Sequence, residues 1–316
     1  QLMETDVDIV LLCCPPGFRA KHLEAAIHAG KNVFMEKPGC VDPVGVRSLI
    51  ASSELAQKKG LSIVAGTQRR HEAKYLEIMK RIHDGAIGEI VAGQIYWMCN
   101  MQKWHYTPRD PAWSDMEWQI RNWPFFAWLS GDHFVEQHLH NMDVMNWAMG
   151  DVPKQVLGLG GRQVRVSPEF GHIYDHFAVE FEFANGVRFA SYARQIEGCA
   201  NRITERIVGT KGVAELNRGT ITGANPFQIR KSPNPYVQEH TDLITAVRSG
   251  TPLNEGKRLA ESTMTAICGR MSAYTGQEVE FDWALNESQE CLSPEKFELG
   301  DLPVAPVAIP GTTRLI

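Results

Sequence analysis

Apolar positions form short unbroken runs over the first 65 residues and alternate with polar ones further on. Val7 to Cys13 is almost wholly apolar and stops at Pro15-Pro16, the pattern of a parallel strand buried on both faces. Helix-favouring positions follow from about Phe18 to Ala29, with Gly30 where a C-cap glycine belongs. Asn32 to Met35 reads as a second strand, Pro43 to Lys59 as a helix closed by Gly60, and Leu61 to Ala65 as a third strand. This alternation predicts right-handed crossovers in a doubly wound sheet.

The period then changes. A helix is predicted from His71 to His83, a long strand from Ile87 to Trp97, and a helix from Asp132 to Met149. From Pro153 to Leu216 strand follows strand. Phe177 to Phe183 and Val187 to Ala193 are joined at Asn185-Gly186, a hairpin signal. Helices over about Val237 to Arg248 and Gly256 to Thr275, a short strand at Val279 to Phe281 and a proline-rich surface tail from Leu302 to Pro310 complete the chain. The expectation is an α/β unit over residues 1–70 and an α+β unit over residues 71–316. The second is built on an open, largely antiparallel sheet with flanking helices. A dinucleotide fold opens with a strand, a Gly-x-Gly-x-x-Gly turn and a helix. That opening is missing, and Gly158 to Gly161 lies in a strand-like stretch that suits it poorly. The chain is therefore expected to begin inside its first domain.

Composition narrows the function classes. The chain has 316 residues, 43% hydrophobic and 22% charged, enough for two globular domains. A net charge of -5 argues against nucleic acid, which calls for a basic patch. No apolar run reaches the roughly 18 residues of a membrane span. The seven scattered cysteines show no Cys-x-x-Cys spacing and read as small apolar residues.

Four groups of residues could carry chemistry. Glu36-Lys37-Pro38 directly follows a parallel strand, where doubly wound folds bind ligands. A lysine there can support negative charge developing on a substrate oxygen; otherwise it is a surface lysine. Glu136, His140, Asp143 and Trp147 are spaced to share one helical stripe. His140 has the range for proton exchange near neutral pH, with Glu136 or Asp143 to orient it. The alternative is a hydrogen-bonded interior histidine. His138 diverges from His140 by about 160°, which disfavours a metal site from Glu136, His138 and His140. His138 is kept as a substrate-side candidate. Six tryptophans lie between Trp97 and Trp128, among them Trp104 and Trp123, together with His105 and Arg121. Aromatic faces and directed donors suit a sugar, although such a segment can equally pack on itself or on another subunit. Tyr192 and Arg194 share one face of a strand and border either a pocket or an interface.

These residues resemble the Gfo/Idh/MocA oxidoreductases, the family of glucose–fructose oxidoreductase and inositol dehydrogenase. The resemblance runs from Val7 to about Asp282. It rests on Val7-Asp8-Ile9-Val10 through Pro15-Pro16, His22, Ala29-Gly30-Lys31-Asn32-Val33, Glu36-Lys37-Pro38, Gln68-Arg69-Arg70, Gly85 to Ile90, and the Glu136, His140, Asp143 spacing. Glu136 stands where many members have Asp. The resemblance implies a partial Rossmann-like NAD(P)-binding domain followed by the open sheet domain, whose outer face makes a homodimer or homotetramer. It implies NAD or NADP, with Pro15, Pro16, His22, Glu36, Lys37 and Arg69 near the cofactor and Lys37 and His140 as the catalytic pair. The expected substrate is a sugar or polyol, met by Trp104, His105, Arg121, Trp123, His138 and Tyr192. Two other activities stay open on the same fold. One is glycoside hydrolysis through transient oxidation; the other is non-catalytic sensing of a sugar or nucleotide.

Overall fold

The computed structural model describes residues 2–100 and 106–316. Strand β1 (Ile9–Leu12), helix α1 (Pro16–His28), β2 (Asn32–Met35), α2 (Pro43–Lys59) and β3 (Ile63–Ala65) form a parallel sheet in the order β1-β2-β3. Pro16 opens α1, where its missing N–H costs nothing. The Asp42 carboxylate accepts from Gly45 N to cap α2, and Gly60, with φ 68°, closes it. Burial of β1 on both faces is not met. Val10 and Leu12 pack with Leu23, Ala26 and Ile27 of α1, but Leu11 on the other face is 58% exposed. A later helix covers that other face over Phe34 and Val64 with Leu243 and leaves Leu11 outside.

A 3-10 turn (Gln68–His71) leads into α3 (Ala73–His83). Gly85 and Gly88, at φ 83° and 72°, delay β4 (Ile90–Cys99) beyond the expected start at Ile87. Then come α4 (Asp115–Arg121), α5 (Ala127–Ser130), α6 (His133–Glu136) and α7 (Leu139–Met149). The single helix expected over Asp132 to Met149 is thus broken at Gln137-His138. The turn holds because His138 leaves the helical path for Ser191 Oγ, at 2.7 Å.

Strands β5 (Gln155–Gly161), β6 (His176–Glu182), β7 (Arg188–Gln195), β8 (Arg202–Gly209), β9 (Gly212–Glu215), β10 (Thr220–Gly223) and β11 (Phe227–Gln228) follow. After them come α8 (Pro235–Ser249), α9 (Gly256–Thr275), β12 (Val279–Glu280) and α10 (Phe281–Asn286). The second sheet has the order β11-β10-β9-β8-β4-β7-β6-β5-β12. β4 and β7 run parallel; the other pairs are antiparallel. The β6–β7 hairpin turns at Gly186, with φ 80°. Phe189, Ser191, Ala193 and Gln195 of β7 face the helices, while Tyr192 faces out.

Helix α9 unites the two sheets, packing on α2 on one side and on β5 on the other. Its Arg258 donates to Thr67 Oγ1 and to Asp143 Oδ1, both at about 3.0 Å. Gly158 of β5 brings its amide to Ser272 Oγ of α9 at 2.8 Å, a close approach without a side chain. The tail holds through backbone carbonyls: Gln119 Nε2 donates to Leu302 O and Tyr174 Oη to Ala308 O. No helix among the described residues is long and apolar enough to cross a membrane.

Candidate active site

The C-terminal ends of the three parallel strands open onto one cavity of about 520 Å³. Cys13, Glu36 and Gly66 each follow a strand and line it; α1 adds Arg19, and the second sheet and its helices add Trp97, Glu136, Gln137 and His140. At Gly66 a Cβ would lie 2.5 Å from the Glu36 carboxylate, so a larger residue there would require the Glu36 side chain to move. A slightly larger cleft near Glu89 and Met149, about 590 Å³, has Glu89 as its one charged lining residue and offers no convergent chemistry.

Lys37 is fixed at both ends. Arg19, 4% exposed, donates to the carbonyls of Lys37 at 2.6 Å and Pro38 at 2.8 Å; the peptide between those residues is cis. Burial lowers the Arg19 guanidinium, partly offset by nearby acidic groups. The Lys37 ammonium donates to the Glu136 backbone carbonyl at 2.6 Å and to Glu136 Oε1 at 2.7 Å. Lys37 and Glu136 therefore bridge the first sheet to α6.

His140 is 7% exposed, and its ring stacks on Trp97 with centroids 5.8 Å apart. Trp97 is oriented by Nε1 donating to Gln137 Oε1 at 2.9 Å, and Gln195 Nε2 donates to the same oxygen. Burial, then the positive charges of Lys37 and Arg69, hold the His140 imidazole well below its usual range. Its Nδ1 is buried and has no hydrogen-bond partner among the described residues.

The remaining predicted residues divide. Pro15 and Trp123 line the cavity. Pro16 only starts α1, and His22 turns its Nδ1 to Cys14 Sγ at 3.3 Å. Arg69 is withdrawn from the cavity: it pairs with buried Glu205 at 2.5 Å. Asp143 does not bond His140. It accepts from Arg70, Arg258 and Ser262. Burial pushes its carboxyl up, but Arg70 and Arg258 outweigh that and hold it well below the usual range. His138 points into the sheet, to Ser191 and Asn141, and burial lowers it to about 3. Glu136, His138 and His140 thus face different partners: Lys37, Ser191 and Trp97. Arg121 is exposed, paired with Glu117 and stacked over Trp113. Tyr192 stacks on Tyr96 on the outer face of the sheet; strand alternation turns it from the cavity. Trp104 and His105 lie outside the described residues.

The aromatic segment mostly packs on itself: Trp118, Phe125, Phe126 and Trp128 form a buried cluster, while Trp97 and Trp123 reach the cavity. Sequence reasoning missed Arg19 and Gln137. Arg19 had a signal, a charge inside the buried stripe Pro16, Leu23, Ala26, Ile27 of α1. Gln137 had none, since the break that exposes it depends on contacts across the fold.

A strand-end lysine beside a neutral histidine, in a Rossmann-like half joined to an open sheet, defines the class of nicotinamide-dependent oxidoreductases. The comparisons are specific. Residues 1–67 match the oxidoreductase family with an NAD-binding Rossmann fold, and residues 75–215 match the GFO/IDH/MocA C-terminal domain. Inositol 2-dehydrogenase of Rhizobium meliloti is 24% identical over 263 residues, 78% of this chain and 72% of that protein. The 2,7-anhydro-N-acetylneuraminate hydratase of Mediterraneibacter gnavus is 25% identical over 261 residues, 79% of this chain and 62% of that protein. An oxidoreductase domain protein from Kribbella flavida superposes with a TM-score of 0.74 at 20% identity, covering 89% of this chain and 82% of the other. The chain belongs to the GFO/IDH/MocA family of NAD(P)-dependent oxidoreductases.

Proposed function

We propose that this chain moves hydride between a nicotinamide and a hydroxyl or keto carbon of a sugar or polyol, with Lys37 and His140 acting on the oxygen. The carrying observation is that these two side chains, one from the loop after β2 and one from α7, line one cavity at the strand ends. The cavity suits the cofactor: Pro15, Glu36, Lys37 and Gln68 ring the strand ends, and Gln68 Oε1 is buried without a partner among the described residues. A bound NAD or NADP supplies the hydride acceptor or donor.

The chain's own residues do the rest. His140, kept neutral by burial, takes the hydroxyl proton on oxidation and returns it on reduction. The Lys37 ammonium donates to the same oxygen and favours its alkoxide character. Glu136 holds that ammonium in place. Trp97 and Trp123 cover the apolar face of the ring and exclude water. The inositol 2-dehydrogenase relative supports a polyol or sugar substrate.

The test is NAD(P)+ reduction across a panel of sugars and polyols. Lys37→Ala and His140→Ala should each lower kcat by ~10²–10⁴; a loss within about threefold in either removes the assigned role. The hydratase relative favours a second reading, transient oxidation with the nucleotide recycled. That reading requires product formation without net NADH. We further propose assembly as a homodimer or homotetramer through the outer face of the second sheet.

A further inference from the structure

The break between α6 and α7 falls at Gln137 and His138, where the sequence pattern calls for an unbroken helix. Such a conflict between local pattern and fold is expected at functional sites. His138 is taken up by Ser191 and Asn141. Gln137 is 6% exposed and lines the cavity beside Lys37 and His140. Its carboxamide is fixed in one orientation. Trp97 Nε1 can only donate, so the Gln137 atom 2.9 Å from it is the oxygen, Oε1. Gln195 Nε2 donates to the same oxygen. With Oε1 taken twice, Nε2 is the free end of the amide. It has no acceptor among the described residues, and unlike His140 Nδ1 it is not enclosed by them.

Both donors to Gln137 stand on rigid supports. Trp97 and Gln195 lie on the neighbouring strands β4 and β7, where the register pairs Trp97 with Ala193 and Cys99 with Gln195. Gln195 is buried, and its backbone N–H donates to Asp175 O at 2.9 Å. Hydrogen bonds accepted at Oε1 polarise the amide and strengthen donation from Nε2. The indole that holds Gln137 also stacks on His140, and the residue before Gln137, Glu136, holds the Lys37 ammonium. The amide is therefore tied to both groups assigned to the reacting oxygen, to one through a ring and to the other through the chain.

We propose that Gln137 is a specificity-determining residue: its Nε2 donates to a second oxygen of the substrate, apart from the one that Lys37 and His140 act on. The site then selects a sugar or polyol that carries this second oxygen over the analogue that lacks it. A neutral amide suits a hydroxyl or carbonyl oxygen, whereas an anionic group is met better by a charged donor. An analogue without the oxygen leaves the donor unpaired, which is how a site built to bond an oxygen rejects such a compound.

This inference rests on the oxidoreductase reading, and deoxy substrates separate the two. The sugar or polyol that turns over best, with myo-inositol, D-glucose and D-galactose tried first, is compared with its monodeoxy analogues, using the whole chain with saturating NAD+ or NADP+. Removal of one oxygen other than the reacting one should lower wild-type kcat/KM by about 10–100-fold, mostly through KM. In Gln137→Leu the same analogue should come within about threefold of its parent, while the penalties at the other carbons stay as they were. Gln137→Glu keeps an oxygen for Trp97 and Gln195 and replaces only the free nitrogen. It stands in if Gln137→Leu does not fold, and the penalty at that one carbon should then change by more than about threefold. A wild type indifferent to every non-reacting oxygen overturns the proposal without any variant. A loss in the variants that falls evenly on parent and analogues also overturns it, because Gln137 would then only brace Trp97. If no sugar or polyol turns over, the oxidoreductase reading fails, and calorimetric titration with myo-inositol and D-glucose decides Gln137 separately. Binding that Gln137→Leu weakens about tenfold upholds it; equal binding, or none, overturns it.

Discussion

At the residue scale, two buried titratable groups one helical stretch apart are treated oppositely by their surroundings. Asp143 is surrounded by Arg70 and Arg258 and stays ionised. His140 stacks on Trp97, and burial, then the Lys37 and Arg69 charges, hold its imidazole well below the usual range. The role of base requires the neutral form. A depressed histidine keeps that form as pH falls through 6.5, and loses it only further down. The acid limb of kcat/KM, measured with nucleotide saturating, should therefore lie below the 6.5 of an ordinary histidine. A limb at or above 6.5 would show that the group titrating there is not His140 in this environment. Lys37 was legible from sequence because strand-end position and Glu36-Lys37-Pro38 coincide. Asp143 was legible as a residue but not in its role, since both arginines that claim it come from outside its helix.

At the element scale, β2, β3, the Asn185-Gly186 hairpin and α9 follow their patterns closely, because local period and tertiary burial agree there, whereas β1 forms where expected but leaves Leu11 outside. The stretch from Asp132 to Met149 does not. Its apolar residues Phe134, Val135, Leu139, Met142 and Met145 are all buried, so periodicity fits a continuous helix, yet Gln137 and His138 turn to partners on β7 and in the cavity. α9 shows how tightly that broken element is held. A Cβ on Gly269 would fall 2.4 Å from Phe134 Cε1 on α6 and 3.4 Å from Phe181 Cζ on β6. Gly269→Ala gains about 1 kcal/mol of helix propensity, against ~1–3 kcal/mol for overpacking. The balance favours net destabilisation, with a lower denaturant midpoint and an unchanged slope. Activity should fall as well, because α6 carries Glu136. A midpoint equal to or above wild type would show that Phe134 repacks freely.

At the scale of the whole molecule, the second sheet has one face filled and one face bare. α6, α7 and α9 cover the inner face, which is also the face of the cavity. On the outer face, the pairing register sets Leu159, Ala178, Tyr192, Tyr96 and Thr204 in one row across five strands. Leu159 is 66% and Tyr192 39% exposed. Association by the sheet edges is disfavoured, since β11 and β12 have two residues each and present little unpaired backbone. This face offers a surface for self-association, and the row of Leu159, Ala178 and the two tyrosines on it suits a two-fold contact in which each copy offers the same patch. Sedimentation equilibrium should give a dimer or tetramer. Leu159→Glu combined with Tyr192→Glu places like charges opposite each other across that contact and should yield monomers. Turnover per chain should survive dissociation, because the cavity opens on the opposite face. A wild-type monomer at micromolar concentration would remove the assembly, and loss of turnover on dissociation would mean that the partner copy reaches the cavity after all.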